Sequence, residues 1–63
     1  MDQEKFNMSM RKFLKQVGVT SQQQIEKVVR ESGKDAGTLK VKVVLTAVGT
    51  DLNHVVEGDI ELD

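Results

Sequence analysis

Cysteine is absent and histidine occurs once, as His54, so disulfides and thiolate metal sites are excluded and a structural zinc has almost no ligands to draw on. No apolar run reaches the length of a signal-peptide core or a membrane span, and the opening residues Met1, Asp2, Gln3 and Glu4 are acidic rather than basic. A soluble cytoplasmic protein is the expectation, and the lack of cysteine suits a reducing compartment. Tryptophan and tyrosine are missing, and both phenylalanines, Phe6 and Phe13, fall in the first quarter of the chain. Glycine-rich phosphate loops are excluded as well, because Gly33 and Gly37 lack the Lys-Ser or Lys-Thr that would follow and the strand that would precede. There is no internal repeat.

Basic residues are also missing from one half. Residues 1–42 hold nine basic and five acidic side chains, a net +4, whereas residues 43–63 hold five acidic side chains and no lysine or arginine, a net −5. The two halves attract, and pairing within the fold or between subunits is the simplest use of that asymmetry. At 63 residues the chain is one small domain, residues 1–63, with little capacity for a core. Small domains without disulfides or a metal lean on association with another chain, so a homodimer is expected.

The residues that are present point to a β-hairpin over residues 38–48 and 51–62. Alternation places Leu39, Val41, Val43, Leu45 and Ala47 on one face and Lys40, Lys42, Val44, Thr46 and Val48 on the other. A two-residue turn at Gly49 and Thr50, with Gly49 supplying the positive φ, sets Lys40 against Asp59 and Lys42 against Glu57. On the other face it sets Leu39 against Ile60, Val43 against Val56, and Ala47 against Leu52. A three-residue loop would instead press Glu57 onto Val43 and Asp59 onto Val41, burying carboxylates among aliphatics, and is rejected.

Two helices are expected before the hairpin, over residues 3–17 and 21–32. Asp2 caps the first, and Phe6, Met10, Phe13, Leu14 and Val17 form its apolar stripe, with Arg11, Lys12 and Lys15 on the other side. The pattern Asn7-Met8-Ser9 matches a glycosylation acceptor but reads as helix. Gly18 is read as a helix stop, and Thr20 with Gln23, or Ser21 with Gln24, as a capping box that opens the second helix. That helix carries Ile25, Val28 and Val29 and stops at Gly33. The expected fold is therefore α+β, a two-layer α-α-β-β unit in which a helix pair packs on an antiparallel hairpin. The sheet is extended, or the hairpin exchanged, in a homodimer.

The run Asn-Met-Ser-Met-Arg-Lys-Phe-Leu-Lys-Gln-Val-Gly-Val-Thr-Ser-Gln at residues 7–22 resembles the N-terminal half of a family of short, uncharacterised bacterial proteins. The resemblance implies a cytoplasmic bacterial protein with one compact domain. The family has no assigned activity, cofactor or catalytic residue, so no site follows from it.

Chemistry-bearing constellations are sparse. His54 is expected beside Leu45 on the covered face, as a partly buried structural histidine rather than a base or ligand. Glu57, Asp59, Glu61 and Asp63 project from one face of the last strand, and two of them already have lysine partners. No catalytic, cofactor-binding or metal-binding residue is assigned, and no enzyme activity is expected. Val44, Val48 and Val55 form an apolar patch on the outer sheet face, and with the off-stripe Met8 they are the candidate dimer-interface residues. The alternative function is nucleic-acid binding, with a helix-turn-helix-like segment bent at Gly18, Val19, Thr20 and Ser21 and the hairpin as a wing. Ser21, Gln22, Gln23 and Gln24 would offer amides to bases, but only Lys27 and Arg30 would meet phosphate.

Overall fold

The computed structural model describes residues 1–63. The fold class is α+β: one helix, α1 (Gln3–Ser32), followed by an antiparallel hairpin of β1 (Thr38–Thr46) and β2 (Asn53–Glu61). The chain falls into two compact units, Met1–Gly33 and Lys34–Asp63. No helix is long and apolar enough to cross a membrane.

Helix α1 begins where Asp2 turns extended, with φ −86° and ψ 108°. Its carboxylate accepts a hydrogen bond from the Lys5 amide at 3.1 Å, and its carbonyl accepts the first helical bond from the Phe6 amide at 3.0 Å. One orphan amide is thereby satisfied, as an N-cap requires. Glu4 in the first turn and Arg30 in the last complement the helix dipole. Gly33 ends the helix in the left-handed conformation, φ 69°, where a side chain would be strained.

Between these caps the helix does not stop. Residues 3–17 and 21–32 are parts of a single 30-residue helix, and the expected break at Gly18 is absent. Thr20 is not a cap: its hydroxyl donates back to the Gln16 carbonyl at 2.8 Å, as a hydroxyl inside a helix does. Ser21 is half-buried mid-helix. The reason lies in phase, because Val17, Ser21, Ile25 and Val28 continue the spacing of Phe6, Met10 and Leu14 without a step. A glycine inside a helix costs about 1 kcal/mol relative to alanine, whereas ending the helix there would leave four amides and four carbonyls without helical partners. Continuity therefore wins. Side-chain pairs one turn apart add to it, with Gln3 Nε2 donating to Asn7 Oδ1 at 3.4 Å and Gln22 Nε2 to Glu26 Oε1 at 3.1 Å.

The hairpin has the expected register. Lys40 stands opposite Asp59, Lys42 opposite Glu57, Leu39 opposite Ile60 and Val43 opposite Val56. The ladder is shorter than residues 38–48 and 51–62, closing at the pair Thr46–Asn53. Beyond it, the Ala47 carbonyl accepts from the Thr50 amide at 3.2 Å and from the Thr50 hydroxyl at 2.8 Å. Those bonds centre the turn on Val48 and Gly49, not on Gly49 and Thr50. Gly49, with φ 79°, takes the second central position, the one a type II turn reserves for positive φ. The Thr50 hydroxyl also accepts from the Leu52 amide at 3.2 Å, so Ala47 and Leu52 flank a tight loop rather than extend the ladder.

At the open end, the Leu62 amide donates to the Gly37 carbonyl at 2.9 Å, and the Gly37 amide donates to Asp63 Oδ1 at 3.2 Å. The ladder register thus continues one step past the strands. The half-buried strand residues Leu39, Val41, Leu45 and Ile60 all belong to one face. No side chain anywhere in the chain is fully buried.

Candidate functional site

In α1 the spacing 6, 10, 14, 17, 21, 25, 28 repeats after eleven residues, about 3.67 per turn, close enough to the helical 3.6 that the stripe stays on one side of the helix. Phe6, Met10, Phe13, Leu14 and Val28 remain between 42% and 53% exposed along it, while Val17, Ile25 and Val29 are half-buried by their helical neighbours. Ser21 is the one polar member of the centre line. Reading Ser21 as a cap hid the continuity of this stripe, and the signal that reveals it is the unbroken three- and four-residue spacing across Gly18.

The four candidate interface residues divide between the units. Val44 and Val55 are direct ladder partners, 54% and 44% exposed. Val48 sits at the turn with its side chain wholly in water. Met8, 70% exposed, is in the other unit, in α1 on the side away from the Phe6–Val28 stripe. The valine pair is small beside the helix stripe. Its ladder neighbours, Lys42 opposite Glu57 and Lys40 opposite Asp59, give the same sheet face a mixed charge.

A depression of about 350 Å³ lies over Gly58, lined by Lys40, Val41, Lys42, Glu57 and Asp59. Two cations and two anions share it, so it selects for neither sign of ligand charge. No three His, Cys, Asp or Glu side chains are grouped to hold a metal ion. Asp63, last of the acidic side chains read together on the final strand, instead holds the Gly37 amide.

His54 stands opposite Leu45 as expected but is exposed rather than partly buried. It lies one pair from the end of the ladder, where the turn offers nothing to cover it. The bend required for a helix-turn-helix is absent, since Gly18, Val19, Thr20 and Ser21 are all helical.

The model of a family of unknown function, DUF6494, matches residues 1–63. The chain belongs to this family. The DUF6494 match spans both the helix and the hairpin, and the run at residues 7–22 lies entirely within α1. No curated protein and no solved structure matches the chain.

Proposed function

We propose that this DUF6494 member is a small, non-catalytic structural or protein-interaction module of the cytoplasm that works as a homodimer. The observation that carries the reading is that neither unit by itself buries a side chain, although an apolar stripe runs most of the length of α1 and an apolar face lines the hairpin. Most of the stability of a helix in a protein comes from packing of its apolar face, and a lone two-stranded hairpin is marginal in water. A second copy supplies the missing contacts. Open hairpin edges add to the case, because pairing them across chains, or exchanging hairpins through residues 33–37, satisfies backbone groups that otherwise stay in water.

A non-catalytic role is supported by the scarcity of reactive groups: one exposed histidine, no cysteine, and carboxylates spread along a solvated strand face. Sedimentation equilibrium from low to high micromolar concentration tests the reading. A mass of two chains is expected, and a mass of one chain throughout that range overturns it.

A further inference from the structure

We infer that the second copy pairs through α1, helix against helix and antiparallel, with the two-fold axis near Val17. The inference rests on the homodimer reading and adds the surface and its direction. Three observations support it.

The first is size. From Phe6 to Val28 the stripe is roughly 33 Å long, and covering it withdraws about 600 Å² per chain, or about 1,200 Å² for a pair, the lower bound of specific, stable interfaces. The outer patch of Val44, Val48 and Val55 offers about half as much, within what ordinary monomer surfaces expose.

The second is shape. The bulky members of the stripe, both phenylalanines with Met10 and Leu14, lie in its first half, and the second half narrows through Ser21 to Ile25 and Val28. Parallel pairing would stack Phe6 on Phe6 and leave Ser21 facing Ser21 across a gap. Antiparallel pairing sets Phe6 against Val28, Met10 beside Ile25 and Phe13 against Ser21, so that each layer combines a large with a smaller side chain, as close packing requires.

The third is charge. Residues 3–17 carry Lys5, Arg11, Lys12 and Lys15 against Glu4, a net +3, whereas residues 18–32 carry Lys27 and Arg30 against Glu26 and Glu31, a net zero. Parallel helices would bring the two +3 halves together. Antiparallel helices place each beside a neutral half and also oppose the two dipoles.

The absence of cysteine makes site-directed spin labelling clean in the full chain. Nitroxides attached separately to Lys5→Cys, Lys15→Cys and Arg30→Cys, all at exposed positions, are measured by double electron–electron resonance alongside the sedimentation mass. With a rise of 1.5 Å per residue and a width of about 20–24 Å for two helices, the Lys15 labels, which lie on the outer faces, are expected within about 30 Å of each other and the Lys5 and Arg30 labels beyond about 40 Å.

A two-chain mass with short distances at all three positions means parallel helices and overturns the inference. A two-chain mass with the Lys15 labels far apart means an interface elsewhere and overturns it too, while leaving the homodimer standing. A one-chain mass overturns both. As a second measurement, Leu14→Ala keeps helix propensity while trimming the stripe, and is expected to weaken dimerisation about tenfold or more. Val44→Thr is expected to leave it unchanged, and the reverse pattern counts against α1.

Discussion

Lys42 faces Glu57 directly across the hairpin ladder, two residues from the matching pair Lys40 and Asp59. Opposite charges at facing positions favour this register, and like charges oppose it by roughly 0.2–1 kcal/mol per pair. Lys42→Glu is therefore expected to lower the unfolding free energy obtained from urea titration by an amount in that range. Combining it with Glu57→Lys is expected to restore most of the loss. If the double reversal is no better than the single change, the two side chains do not interact.

Gly18 and Thr20 give a prediction whose sign separates a continuous helix from a broken one. A Cβ added at Gly18 meets nothing within 4 Å, so Gly18→Ala is expected to stabilise α1 by about 1 kcal/mol. Thr20→Ala is expected to be neutral or to stabilise by a few tenths of a kcal/mol, because its hydroxyl bonds within the helix. Loss of a cap would instead cost about 1 kcal/mol. Thermal melts followed at 222 nm read the sign directly.

At the start of α1 stands Asp2, whose carboxylate holds the Lys5 amide. Asp2→Ala is expected to cost about 1 kcal/mol and Asp2→Asn much less, since the amide oxygen can also accept that bond. Fraying confined to the first turn, seen as faster amide exchange at Lys5, is the local signature.

Gly49 is the turn residue whose φ of 79° disfavours a side chain. Gly49→Ala is expected to destabilise the hairpin by about 1 kcal/mol, and Gly49→Asn by less, because asparagine tolerates that region. Equal stability of all three would mean that the turn is not centred on Val48 and Gly49.

How much of this was legible in the sequence depends on whether a signal was local or shared between segments. The strand register was legible because two lysines and two acids had to meet at a constant sum of residue numbers while aliphatics met on the opposite face. The helix ends were legible from Asp2 and Gly33. Gly18 and the Ser-Gln pattern after it misled because each is a true local preference worth about 1 kcal/mol, set against an apolar phase that runs through both. The sequence sets the turn one residue late, since a positive φ at Gly49 suits either central position and the bonds from the Thr50 amide and hydroxyl to the Ala47 carbonyl decide between them. Of the candidate surface, the Val44–Val55 pair followed from register. The two halves of the helix stripe were legible from their spacing, but their continuity was not, because it required Ser21 to be part of a face rather than the start of a helix.

That neither unit fully buries a side chain on its own carries a consequence for abundance. If folding and dimerisation are a single event, the midpoint of thermal unfolding rises with protein concentration, and the fraction ordered is set by how many copies are made. Dilution then acts as a denaturant, and synthesis rate becomes a switch between an ordered assembly and a chain open to proteolysis.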